Sequence, residues 1–193
     1  MPAQQRTRLT FGVVGLVLAG LAPALALAQL DYGFMPKGGK SLLLEVLGQA
    51  PDDKEVREIT GSRRSEVEWR AAMADRGKAL NERELRTLAA YLEVNMPVAD
   101  PAALAAKASQ PQALASALPR DGRELGWEEC QFCHSLFTSH LTQDRSVQAW
   151  RNMFESPFHR ELKMTAQERE EFSRYSAINM PMKIEDVPPD LRF

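Results

Sequence analysis

Apolar positions along this chain recur every three to four residues, the spacing of a helix face. Between Glu82 and Asn95, Leu85, Leu88, Tyr91, Leu92 and Val94 fall along one side. Between Ala166 and Asn179, Phe172, Tyr175 and Ile178 do the same. Both runs carry start and stop signals. Asn81 and Thr165 stand at the capping position, with Glu84 and Glu168 three residues on as reciprocal partners. Pro97 and Pro181 lie just beyond the last helical residues. No segment sustains the two-residue alternation of a half-buried strand. The pattern predicts an all-α protein.

The two runs also match each other. Asn81/Thr165, Glu84/Glu168, Leu88/Phe172, Tyr91/Tyr175 and Val94/Ile178 correspond at an offset of 84, and Asn95-Met96-Pro97 returns as Asn179-Met180-Pro181. Upstream, Trp69-Arg70 returns as Trp150-Arg151 at an offset of 81, so the second copy has three extra residues between its tryptophan and its last helix. Two copies point to a duplication, since solenoid arrays need more units. Between them, Val98 to Arg120 is rich in Ala, Pro and Ser, and Asp100-Pro101 reads as a helix start. The expected organisation is a unit at 29–97, a connector at 98–119 and a unit at 120–193. Each unit is small for a core that must stand alone.

Composition changes this picture little. A hydrophobic content of 44% and a charged content of 26% are ordinary for a globular protein. A formal charge of −2 gives no basic footprint, so nucleic acid is not an expected partner. The N-terminus changes it more. Met1 to Thr10 holds Arg6 and Arg8 and no acid, Phe11 to Ala28 is uncharged and apolar, and Ala26-Leu27-Ala28 is a small-x-small site. That order is a secretory signal. Residues 1–28 are therefore expected to be removed on export to a periplasm. Membrane contact follows only if the segment stays as an anchor, against which stand its short apolar run and Pro23. Without Arg6 and Arg8 the formal charge falls from −2 to near −4.

Both cysteines lie in one motif, Cys130-Gln131-Phe132-Cys133-His134. An exported protein usually pairs its cysteines, but a bridge across two residues closes too small a loop to add much stability. Three chemistries compete for the motif. A thioredoxin-like redox pair needs a strand before it, and none is predicted. A zinc site needs four ligands, and outside the motif the only histidines are His140 and His159. Covalent haem attachment suits the spacing. On a helical turn, cysteines three apart point to one side, where each can form a thioether with a vinyl group, and the next histidine turns to the iron.

Residues 122 to 180 resemble a class I cytochrome c. That family has a helix leading into Cys-x-x-Cys-His, a middle helix, a loop with the distal iron ligand, and a final helix packed across the first. The matching parts here are Gly122 to Cys130, the motif itself, Ser146 to Glu155, Ser156 to Met164, and Thr165 to Asn179. The resemblance implies one covalent haem c, with Cys130 and Cys133 as tethers and His134 as proximal ligand. The first unit shares only the tail half of the pattern. Counting back from Trp69 by the spacing between Trp150 and His134 reaches Asp53, with no cysteine or histidine nearby. We therefore expect a degenerate, haem-free first unit.

The resemblance also implies a distal methionine, at a depth that falls here on Pro157, Phe158 and His159. The sequence departs from the family at this point. His159 is the first candidate for sixth ligand, Met164 the second and Met153 the third. Met164 matches Leu80 and Met180 matches Met96 of the haem-free copy, which assigns both to packing. Bis-histidine ligation implies a lower potential than histidine with methionine. His140 is expected at the surface or beside the propionates, and Trp127, Phe132, Phe137 and Trp150 are candidates for the haem wall. The expected function is non-enzymatic: one-electron transfer to or from a periplasmic oxidoreductase or respiratory complex. The alternative is a haem-based sensor with a displaceable sixth ligand.

Overall fold

Caps and glycines decide how the helices of this chain meet. The computed structural model describes residues 32–49, 51–131 and 133–193; the expected signal at 1–28, and Phe132 of the motif, lie outside them. The described residues form helices and no strand, as the apolar spacing predicts. No helix among them is long and apolar enough to cross a membrane. They cluster as one unit, Tyr32–Phe193.

Among the described residues, ten α-helices follow in order: α1 (Gly39–Leu47), α2 (Asp53–Gly61), α3 (Glu66–Ala74), α4 (Glu82–Asn95), α5 (Pro101–Ala105), α6 (Pro111–Ala117), α7 (Gly122–Cys130), α8 (Val147–Met153), α9 (Pro157–Arg160) and α10 (Ala166–Asn179). The predicted capping boxes form at Asn81/Glu84 and Thr165/Glu168, and further ones at Ser65/Glu68 and Asp121/Glu124. Each cap satisfies amides that the first helical turn leaves without partners, worth about 1 kcal/mol apiece.

Two triads share a seam. In the first, α4 packs on α1 and α3; in the second, α10 packs on α7 and α8; α4 and α10 then pack on each other. A glycine permits each crossing. A methyl group at Gly39 would fall inside the Tyr91 side chain, and one at Gly122 inside Tyr175. The two tyrosine hydroxyls donate across the seam, Tyr91 to Pro119 O at 2.9 Å and Tyr175 to Pro36 O at 2.7 Å. Asn95 Nδ2 donates to Glu171 Oε2 at 3.3 Å, and Asn179 Nδ2 to Thr87 Oγ1 at 3.0 Å. Glu171 and Thr87 occupy matching places.

Asp121 serves both triads. Its carboxylate accepts from Arg123 N and Glu124 N of α7, and from Lys40 N and Ser41 N of α1. Gly38, at the start of α1, brings no cap of its own. The seam also explains a departure from the predicted α10. Ile178 is only half-buried, while Glu171 and Asn179 are buried, because α4 covers a polar side of α10 and bonds to both.

The connector is helical and belongs to the first core. Leu104 and Ala105 of α5, Ala108 beyond it, Leu114 of α6 and Leu118 at its end join Val56, Ile59, Trp69 and Leu88 in one buried cluster. Conversely, Tyr32, Phe34 and Met35 lie against Trp127 in a cluster with Leu141, Tyr175 and Val187 of the second triad.

Candidate functional site

The motif ends α7 and begins a loop. Cys130 is the last residue of α7, and Cys133 and His134 follow in a turn before a π-helical turn at Phe137–Leu141. Beside them lies a cavity of about 360 Å³, lined by both cysteines, His134, His159 and the apolar side chains of Trp150 and Phe172, among others. Cys133 and His134 also border a second cavity of about 310 Å³, closed on one side by Leu191 and Phe193.

Four sequence-predicted residues therefore meet in one place: Cys130, Cys133, His134 and His159. The imidazole rings of His134 and His159 are 6.1 Å apart, centre to centre, with their planes at 73°. Both cysteines are free thiols. Burial pushes the Cys130 thiol up to about 12, helped by the charge of Glu129. Disulfide oxidoreductases do the opposite, lowering the thiol pKa to make a thiolate. Among the described residues, no group of three or more His, Cys, Asp or Glu side chains is arranged to hold a bare metal ion.

The methionines separate. Met153 lines the cavity, whereas Met164 is buried in a cluster with Leu125, Trp150, Phe154 and Phe172. Met180 packs in the other cluster of this half, with Trp127 and Tyr175. Of the expected wall residues, Trp150 borders the cavity, while Trp127 and Phe137 pack toward Tyr32 and Phe34.

His140 is not at the surface. It is buried on the cavity wall, between Trp150 and Phe172, with ring centres at 5.3 and 5.0 Å. Its Nε2 lies 2.9 Å from Ser176 Oγ, and its Nδ1 is buried without a partner. Burial, with Arg145 nearby, drives its pKa down to about 3, so the ring is neutral. Trp150 Nε1 is also buried and unpartnered, but so is Trp69 Nε1 in the first triad. That feature belongs to the shared scaffold. His140 has no such twin: at the offset of 81 that holds up to the tryptophans the matching position is Ile59, and that of Ser176, at 84, is Leu92. The replacement of two aliphatic residues by a polar pair was legible in the repeat alignment, although its burial was not.

Ser156 was not foreseen. Its Oγ lies 2.7 Å from His159 Nδ1. Comparison with family models, with curated proteins and with solved structures returns no match for this chain.

Proposed function

We propose that this chain is an exported mono-haem c-type cytochrome that transfers single electrons, with the haem tethered by Cys130 and Cys133 and its iron bound by His134 and His159. One observation carries this reading: the two imidazoles lie 6.1 Å apart, centre to centre, on the wall of an apolar cavity that also holds both thiols. At a bond of about 2.0–2.1 Å, the length of zinc–imidazole bonds, two rings that held one ion from opposite sides would have centres roughly 6 Å apart. The observed 6.1 Å fits.

A bound haem supplies the one-electron couple of its iron; the chain supplies the setting. Cys130 and Cys133 offer two thiols on adjoining turns, and His134 follows directly. Trp150, Leu162 and Phe172 keep water from that wall. Phe158, beside His159, is 88% exposed and marks the side on which a partner protein would approach. That partner is a periplasmic oxidoreductase or respiratory complex, and residues 1–28 are the basis for the periplasmic location.

We read the two triads as two cytochrome-c-like units, of which the first holds no haem. The paired glycine–tyrosine crossings and the reciprocal asparagine bonds support common descent. Asp53 stands where the count places the proximal histidine, and the connector fills the space beside Trp69 and Leu88. The haem-free unit stabilises the second through the seam.

Mass spectrometry of the exported protein should return the polypeptide of residues 29–193 plus one haem, and Cys130→Ala/Cys133→Ala should return the polypeptide alone. The oxidised spectrum should be low-spin, without the far-red sulfur-to-iron band. A bare polypeptide mass for the wild type would end the proposal; the far-red band would replace His159 with a methionine. The sensor alternative draws on α9, which buries none of its four residues. Rapid carbon monoxide binding to the reduced wild type would favour it.

A further inference from the structure

We propose that Ser156 is a positioning residue for His159: its hydroxyl accepts a hydrogen bond from Nδ1–H and so presents Nε2, with its lone pair free, to the iron. The inference rests on the bis-histidine reading above and goes beyond it by naming what fixes the distal ring.

Three observations converge on Ser156. It stands at the N-cap of α9, where a serine ordinarily accepts from the backbone amides of the first turn. Ser65, Ser146, Thr165 and Asn81 all do so in this chain, and Ser156 does not. Its hydroxyl is committed to the ring of His159 instead, at 2.7 Å. Capping by a serine is worth about 1 kcal/mol, so this contact takes the place of a useful one.

The chemistry gives the contact a purpose. In a neutral imidazole one nitrogen carries the proton and the other the lone pair, and the partner of the first decides which is free to bind a metal. With Nδ1–H on Ser156 Oγ, Nε2 is the ligating nitrogen. The backbone of the same arm is held as well. Arg169 Nη2 donates to Arg160 O at 2.8 Å and to Leu162 O at 3.2 Å, and its Nε to Met164 O at 3.2 Å. Its guanidinium lies over the Phe154 ring, 5.1 Å from the centre. Arg169 thus clamps both the turn that follows His159 and the start of α10, and Ser156 sets the ring within that frame. An exposed loop histidine with a solvated ring would need neither.

The test uses the haem-loaded full chain and its reduced form. The readout is the rate of carbon monoxide binding, which is limited by release of the distal ligand, together with the midpoint potential. Wild type, Ser156→Ala, Ser156→Gly, Ser156→Thr and His159→Ala are compared, with haem content and far-ultraviolet circular dichroism as checks. Outer-shell partners of a metal-bound histidine typically cost about 10–100-fold when removed. Ser156→Ala and Ser156→Gly should therefore bind carbon monoxide about 10–100-fold faster than wild type, with shifted potentials, and Ser156→Thr should restore the slow rate. Glycine is itself accepted at N-caps, so at least one hydroxyl-free variant should load. If both bind at the wild-type rate while His159→Ala binds fast, Ser156 has no such role and bis-histidine ligation survives. If His159→Ala itself matches wild type in rate and spectrum, the ligation reading falls, and this inference with it.

Discussion

Trp69 with Leu88, and Trp150 with Phe172, are the same pair of positions in two halves of one molecule, and they have different neighbours. The first pair is sealed under Val56 and Ile59 of α2 and Leu104, Ala105 and Leu114 of the connector. The second borders a cavity of about 360 Å³ with two thiols and the imidazoles of His134 and His159 on its wall. The scaffold around each pair is alike: a glycine under a tyrosine, a capped long helix, an asparagine bonding across the seam. What differs is the filling. An apolar wall is stable against protein atoms or against a ligand, and loses dispersion contacts when it faces neither. The first half fills its space from its own chain; the second leaves a cavity, which the proposed haem would fill.

The largest effect should come from removing that filling. Leu104→Ala deletes a connector side chain buried at 5% exposure, and large-to-small core changes of this kind cost about 2–5 kcal/mol. The urea midpoint should fall by the corresponding amount whether or not haem is attached. A negligible change would break the contrast, because the connector would then be a passive cover.

The glycine crossings should respond alike. Gly39→Ala and Gly122→Ala each force a methyl group against a tyrosine, and overpacking costs about 1–3 kcal/mol, occasionally more. Chemical denaturation of the two variants should give losses of similar size. Tolerance at one site and not the other would show that the two seams are not equivalent.

The asymmetry at Glu171, whose counterpart is Thr87, should show in the pH dependence of stability. Burial, then the charge of Asp121, pushes this carboxyl up to about 8, against the NH of Gly122, the charge of Arg174 and the amide of Asn95. Tyr91 and Tyr175, both buried nearby, remain neutral. The folded protein thus keeps a proton that the unfolded chain releases above its ordinary value of 4.5. Stability should decline as pH rises from about 4.5 to about 8, and level off beyond. Glu171→Gln cannot ionise, so its urea midpoint should fall less across that range. Parallel curves for the two proteins would remove Glu171 from the account.

Much of this was written into the residue order. The spacing of Leu85, Leu88 and Tyr91, the caps at Asn81 and Thr165, and the stops at Pro97 and Pro181 determined where the two long helices lie, because helix periodicity and capping are local properties of the backbone. The match at an offset of 84, and the joint appearance of Cys130, Cys133 and His134, were equally local.

Contacts between residues far apart in the chain were decided only by the fold. Nothing near Asp121 in sequence reveals that it caps α1 as well as α7, since Lys40 is 81 residues away. Nothing near Leu104 marks the connector as core. His140 lies six residues after His134 and yet is buried between Trp150 and Phe172, because a π-helical turn carries it inward. The meeting of His159 with His134 belongs to the same class. Local sequence sets helices and ends, through hydrogen bonds and steric limits within a few residues; which apolar faces meet, and what they leave open between them, is fixed by packing over the whole chain.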